Sequence, residues 1–177
     1  MNPRLVLVLA LASVPGPLSG QASPGPPQTF LYVTSGVGIG SKPLAVQGGL
    51  SAHVPVGEFT LRWAILSDIS VFGASDNVSD GALLYGVRRL AAHTWFSLGA
   101  GPAVAEANQY RCIEASAIFV CSAYERNRHT SLGLAFHATV GWAPAKTLGI
   151  SVSLFGDAND AQSFMAATLN LHLGKLR

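Results

Sequence analysis

The segment SLGLAFHATVGW, residues 131–142, alternates large apolar side chains with small or weakly polar ones. Its even-numbered positions, from Leu132 to Trp142, are all apolar, whereas its odd-numbered positions carry only Ser, Gly, Ala, His and Thr. Side chains alternate across a β-strand, so this spacing predicts a strand with one apolar face and one small, weakly polar face. Which face points outward decides whether the protein lies in water or in lipid.

The same period-two pattern recurs about eight times after residue 28 and covers most of the chain. The links after even-numbered strands are short, whereas those after odd-numbered strands are more variable and include the two longest, 70–80 and 105–130. Pro102 is expected to cause a bulge in the fifth strand or to end it early. The pattern predicts an all-β fold, an eight-stranded antiparallel up-and-down barrel, with strands at about 29–40, 44–54, 58–69, 81–89, 94–104, 131–142, 147–156 and 163–174.

The composition argues against an exterior covered by water. Charged residues make up 11% of the chain, hydrophobic residues 49%, and the formal net charge is +2. Average soluble domains carry about 25% charged residues. No run of basic residues is present, so nucleic acid is not an expected partner.

The N-terminus has the pattern of a secretory signal peptide over residues 1–22. Arg4 supplies the positive charge, about ten apolar residues follow from Leu5, and small residues precede a cleavage point after Ala22. A Pro-rich lead-in over residues 23–28 and a barrel domain over residues 29–177 complete the predicted organisation. No later apolar run reaches the ~20 residues of a transmembrane helix, so a membrane location would require strands.

Two barrels fit the alternation, and they differ in the face that is outside. In a soluble periplasmic barrel of the lipocalin kind the apolar face would point inward and enclose a ligand cavity. In a transmembrane β-barrel the apolar face would meet lipid, and the Gly, Ser, Ala and Thr residues would line a narrow lumen. The small, uncharged character of the second face favours the transmembrane barrel, and the soluble binding protein is the alternative.

Charged and histidine side chains on the small-residue face are expected to point into the lumen, where charges must pair. Glu58 begins the third strand and Arg88 ends the fourth, so both should lie at the same end of the barrel, with Arg62 nearby. We predict that they form an interior plug, the alternative being that Glu58 and Arg88 reach bulk water at the rim. The whole predicted polar cluster consists of Glu58, Arg62, Arg88, His53, His137 and His172.

The two cysteines, Cys112 and Cys121, lie close together in the longest predicted loop and are expected to form a disulfide in an exported protein. No metal-ligand spacing accompanies them, and no metal or other cofactor is expected. Asp157 and Asp160 lie three residues apart in a predicted loop, where calcium could use their oxygens, but an Asx-rich turn is the favoured interpretation.

Taken with the signal peptide, this pattern resembles the small eight-stranded outer-membrane barrels of the OmpA/OmpX kind, over about residues 29–173. The resemblance implies a monomer in the cell outer membrane, in contact with its lipid, without a catalytic site. Its role would be structural or would depend on surface contact with a protein or a host through loops 70–80 and 105–130. Such barrels usually end on an aromatic residue, whereas this chain ends Leu-Gly-Lys-Leu-Arg.

One enzymatic alternative comes from His129 and Ser131, whose spacing resembles the His-x-Ser of outer-membrane lipid A 3-O-deacylases. There the histidine would act as general base and the serine as nucleophile. The family's motif continues with Asn, but Leu132 follows Ser131 here, and its downstream Glu is missing. A polar start to the sixth strand is the favoured interpretation.

Overall fold

The computed structural model describes residues 29–69, 75–115 and 121–176. The predicted signal peptide and the Pro-rich lead-in lie outside the described residues. The described residues contain no helix that is long and apolar enough to cross a membrane.

Eight antiparallel strands form a closed ring in sequence order, with β1 paired to β8. The predicted fold class is therefore confirmed. Closure leaves the sheet without a free edge around the ring, which suits a setting without water. The strands are β1 (Phe30–Gly40), β2 (Leu44–Val54), β3 (Gly57–Ser67), β4 (Asn77–Leu90), β5 (Thr94–Ala115), β6 (Cys121–Trp142), β7 (Leu148–Asn159) and β8 (Phe164–Gly174).

The alternation in sequence becomes an apolar exterior and an interior that mixes polar side chains with apolar ones. Outward side chains remain exposed although they are apolar, such as Ile39 at 69%, Leu169 at 62% and Leu132 at 79%. The interior buries Gln, Ser, Thr, Asn, His and charged side chains together with apolar ones, among them Leu66, Leu84 and Phe155. A soluble lipocalin-like barrel would have the opposite arrangement, with its apolar face inside.

The two ends of the barrel differ. The start of β1, the end of β8 and the short turns 55–56, 91–93 and 143–147 lie at one end, which we call the terminal end. The opposite end, which we call the loop end, carries the long hairpin formed by β5 and β6. Residues 175–176 fold back across the terminal end, after Gly174 at φ 134° redirects the chain.

The predicted loop 105–130 was wrong, because most of it is strand. β5 and β6 are each 22 residues long and continue to pair up to Ala115 and Cys121. The sequence pattern ended at Val104 because the positions that continue its outward series, Glu106 and Asn108, are polar, while backbone pairing continues.

Three smaller features of the strands also differ from the prediction. β4 begins at Asn77 and β7 continues to Asn159, so both strands are longer than expected. Pro102 does not end β5, which pairs with β6 through it. The β4–β5 pairing is interrupted opposite Leu83 and Leu84, as expected where a proline cannot donate to the ladder.

Candidate functional site

The terminal end of the lumen is closed by an ion pair between two buried side chains. Arg88 Nη1 donates to Glu58 Oε2 at 3.2 Å, and the two side chains are 0% and 3% exposed. The Arg88 guanidinium lies between the rings of Tyr32 and Trp95, at 4.7 and 4.9 Å from their centroids. Arg88 thus gains both a charge partner and two aromatic faces.

The C-terminal segment completes this closure. Leu176 is fully buried among Tyr32, Trp95 and Ala143, and its carbonyl accepts a hydrogen bond from Arg88 Nη2 at 3.4 Å. Its backbone nitrogen donates to Lys146 O at 2.8 Å. A leucine two residues from the end of β8 therefore packs into the lumen.

The middle of the lumen is a network of neutral polar side chains. Gln47 Nε2 donates to Asn170 Oδ1 at 2.6 Å, and Asn170 Nδ2 donates to Ser153 Oγ at 2.9 Å. His172 contacts Thr34 Oγ1 at 3.0 Å and Ser151 Oγ at 2.7 Å. His172 therefore belongs to this network and to the edge of Trp95, not to the ion pair itself.

Arg62 does not join Glu58, contrary to the predicted grouping. It pairs with Asp80 through Nη2, donates to Phe136 O at 2.9 Å and lies over the Phe155 ring at 5.0 Å. The two charged pairs therefore separate toward opposite ends of the lumen. Asp80 was missed because it was assigned to the loop before β4, although it continues the inward even-numbered series of that strand.

The remaining predicted lumen histidines occupy different environments. His137 points inward, with Nε2 near Gly99, and lines the same cavity as Arg62. His53 is half-buried at the terminal end and stacks on Phe30 at 5.5 Å between ring centroids. Four of the six predicted residues, Glu58, Arg62, His137 and His172, line one small cavity, whereas Arg88 and His53 do not line it.

The cavity between the two charged pairs is small. A cavity of about 40 Å³ lies between the two charged pairs, bordered by Glu58 and Tyr32 on one side and by Arg62 and His137 on the other. One water needs roughly 10–15 Å³ of such volume, so the cavity has room for only a few waters. This volume is too small for a ligand of the size that lipocalin-like barrels enclose.

The long hairpin is the main feature outside the ring. Pairing between β4 and β5 ends at Asn108, and seven residues of β5, 109–115, continue beyond it. At ~3.4 Å per residue this part of the strand is about 24 Å long. Its charged side chains are exposed, and on the outward face Glu106 pairs with Arg126 at 3.7 Å and with Arg128.

The predicted disulfide falls at the top of this hairpin. Backbone pairing places Cys112 opposite Tyr124 and Ala115 opposite Cys121, with register shifts on either side of Glu114. The described part of the chain contains no free cysteine. The side chain of Cys121 lies outside the described residues, so the Cys112–Cys121 disulfide stays a prediction.

The structure gives no support for a His129–Ser131 catalytic pair. Ser131 Oγ donates to Asn159 Oδ1 at 3.3 Å and accepts from the Ala161 backbone nitrogen at 3.2 Å. His129 is exposed at the base of the hairpin. Ser131 thus holds the β7–β8 turn against β6, which is a structural role.

Comparison with known proteins relates the chain to a fold and not to a sequence family. No family model matches it, and no curated protein matches it. The N-terminal β-barrel domain of Pseudomonas aeruginosa OprF matches with a TM-score of 0.57 at 13% identity, covering 84% of this chain and 99% of that one. Neisserial surface protein A matches with a TM-score of 0.59 at 7% identity, with the same coverage.

The Yersinia pestis attachment invasion locus protein Ail, in complex with the heparin analogue sucrose octasulfate, matches with a TM-score of 0.50 at 11% identity, covering 85% of this chain and 99% of that one. The chain therefore has the fold of the small eight-stranded outer-membrane barrels, and the predicted resemblance is confirmed. The three descriptions name a barrel domain, a surface protein and an attachment protein, and none of them names an enzyme.

Proposed function

We propose that this chain is a non-enzymatic outer-membrane protein that acts through surface contact, with the β5–β6 hairpin as the contact element. The observation that carries the proposal is the hairpin itself. Its strands continue for about 24 Å of their length beyond the ring, at ~3.4 Å per residue, on a barrel whose lumen is closed at the terminal end.

The membrane location rests on the outward face. Soluble monomers rarely expose contiguous apolar patches larger than a few hundred Å². Here every strand of the ring contributes exposed apolar side chains, including Leu31, Leu61, Tyr85 and Leu171. Lipid satisfies such a surface, and the predicted signal peptide over residues 1–22 would export the chain to reach it.

The orientation follows from loop length. In outer-membrane barrels short turns face the periplasm and long connections face outward. The terminal end would therefore lie in the periplasm, and the β5–β6 hairpin would rise from the cell surface.

The closed lumen argues for contact instead of transport. The Glu58–Arg88 pair and Leu176 fill the terminal end, and Arg62 with Asp80 lies across the lumen toward the loop end. General diffusion of solutes would require both groups to move. The surface of the hairpin, in contrast, is accessible as it stands.

The hairpin has the composition of a contact surface. Its stem carries the exposed charges Arg111, Glu125, Arg126 and Arg128, and it also exposes Tyr124 at 38%. Beyond residue 108 on β5 its outer backbone edge is not paired with β4, and the β7 pairing of β6 begins only at Gly133. Charged side chains on such strand edges limit aggregation, and the unpaired backbone N–H and C=O groups of the edge stay available to a partner.

The test is to shorten the hairpin without disturbing the ring. Asn108 and Arg128 face each other in the β5–β6 register, so replacing residues 109–127 by Asn-Gly leaves a two-residue hairpin of favoured geometry. Cells making the full-length and shortened proteins are compared for attachment to surfaces coated with host-matrix protein. Both proteins are also checked for membrane location and heat-modifiable migration.

We expect the shortened barrel to fold and insert but to lose the attachment that the full-length protein confers. Equal attachment by the two proteins, with both folded, would contradict the contact role. As a control for the enzymatic alternative, Ser131→Ala should leave the mass spectrum of lipid A unchanged in cells that make the protein.

The predicted disulfide would stiffen the hairpin. Closing a loop of about ten residues stabilises by roughly 2–3 kcal/mol in the chain-entropy model. We expect thiol alkylation of the unreduced, denatured protein to label neither Cys112 nor Cys121, and reduction to make the hairpin more sensitive to trypsin. Labelling of both cysteines before reduction would contradict the disulfide.

A further inference from the structure

The loop end of the lumen carries an excess of negative charge among the described residues. The carboxylates of Asp80 and Asp157 both face the interior, and the guanidinium of Arg62 is their shared cation. The two terminal nitrogens of Arg62 are occupied by Asp80 and by the carbonyls of Phe136 and Gly156, while its Nε is buried without a partner among the described residues. Two negative charges therefore share one positive charge.

Other charges do not correct this balance. Glu58 and Arg88 neutralise each other at the opposite end. Lys42, in the turn between β1 and β2, is paired with Asp68 at 2.5 Å. The loop end is left with a deficit of one positive charge.

Asp157 is the carboxylate that is left without a cation to neutralise it. The residue is 1% exposed, and neither of its carboxylate oxygens has a hydrogen-bond partner of normal geometry among the described residues, although the Asn159 side chain lies close to it. Its Oδ1 lies against the backbone of β6, because a Cβ built on Gly133 would overlap it. Asp80 Oδ1 is likewise buried without a partner. A buried, ionised carboxylate in this state is costly unless something neutralises it.

We propose that Asp157 and Asp80 form a binding site for one monovalent inorganic cation, Na⁺ or K⁺, at the loop end of the lumen. The three unpartnered carboxylate oxygens are hard donors of the kind that such cations prefer, and one positive charge completes the balance. Among the described residues no three His, Cys, Asp or Glu side chains gather closely enough to hold a metal ion, which disfavours a tight divalent site.

The experiment measures the thermal stability of the refolded, full-length barrel in detergent micelles. The fraction of the fast-migrating, folded form is followed against temperature in NaCl, in KCl and in N-methyl-D-glucamine chloride at equal ionic strength and pH. A cation that binds only the folded state raises its stability, whereas the bulky organic cation does not fit the lumen. We expect the midpoint to rise by several degrees in NaCl or KCl.

Asp157→Asn should abolish this dependence and raise the midpoint in the organic cation, because the uncompensated charge is gone. Asp160→Asn is the matched control, since it removes the same charge three residues away in an exposed turn. It should retain the wild-type dependence. If Asp157→Asn does not fold, Asp80→Asn tests the same charge balance at the loop end. Arg62 is then free to neutralise Asp157, so the dependence of the midpoint on small cations should again vanish.

Two results would overturn the site. The first is a wild-type melting midpoint that is equal in all three salts. If the midpoint rises only when the pH is lowered, a proton and not a metal cation neutralises Asp157, and the site is likewise overturned. The second is a folded Asp157→Asn protein that still responds to small cations as the wild type does.

Discussion

Replacing Glu58 by glutamine leaves the Arg88 guanidinium in the lumen without its charge partner. The Arg88 side chain is 0% exposed and has no access to water where it lies. Breaking a buried ion pair by removing one partner costs about 3–5 kcal/mol, because an uncompensated charge remains. The faces of Tyr32 and Trp95 and the Leu176 carbonyl still contact the guanidinium, so we expect a loss toward the lower limit, about 3 kcal/mol.

The assay is urea unfolding of the refolded barrel in lipid vesicles, followed by tryptophan fluorescence. Trp95 contacts Arg88 directly, and the outward Trp63 and Trp142 contribute to the same signal, so the emission follows unfolding of the whole barrel. The double variant Glu58→Gln, Arg88→Met should recover part of the loss, because no charge is left buried.

Two results would refute this reasoning. A Glu58→Gln variant that loses less than about 1 kcal/mol would mean that Arg88 reaches water, as at an open rim. A double variant whose loss equals the sum of the losses of Glu58→Gln and of Arg88→Met, each measured alone, would mean that the side chains are not coupled. Glu106→Gln, at the exposed outward pair with Arg126 and Arg128, is the control and should cost much less because water screens that pair.

Three further predictions concern packing and lipid contact. Gly86→Ala should lower the free energy of unfolding by about 1–3 kcal/mol and reduce the folded fraction on semi-native gels, since its Cβ would overlap Leu98 O. Gly81→Ala on the same strand should behave as wild type, because its Cβ meets nothing within 4 Å. Leu61→Arg, at the middle of the outward face of β3, should cost about 2–4 kcal/mol in vesicle unfolding, and an unchanged stability would contradict lipid contact there. Leu176→Ala should lower the free energy of unfolding by about 2–5 kcal/mol and shift the tryptophan emission to longer wavelength. No change in either quantity would mean that the C-terminal segment does not close the lumen.

Most of the ring could be predicted from the sequence, because lipid imposes a regular pattern on it. Wherever one face must be apolar and the other small, the period of two marks the strand, as from Leu132 to Trp142. The alternation of apolar and small side chains stops where the strands no longer need one apolar and one small face. Residues 105–115 and 121–130 pair as strands, but positions that continue the outward series, such as Glu106, Arg126 and Arg128, are polar, so no apolar alternation marks these segments.

The lumen pairs could be predicted only in part. The facing of Glu58 and Arg88 follows from their positions at the start of β3 and the end of β4. The partner of Arg62 depends on where β4 begins, and a four-residue error at that boundary hid Asp80. Asp157 was hidden by the same kind of error at the end of β7. The burial of Leu176 has no periodic signal, since it depends on the chain folding back after Gly174.

The most direct test of the central claim is semi-native gel electrophoresis of membrane and soluble fractions, with and without boiling. The account predicts that the protein is found in the membrane fraction and migrates faster before boiling than after it, as a closed, detergent-stable barrel does. A protein that is soluble without detergent and shows no heat shift would contradict the assignment of the apolar face to lipid.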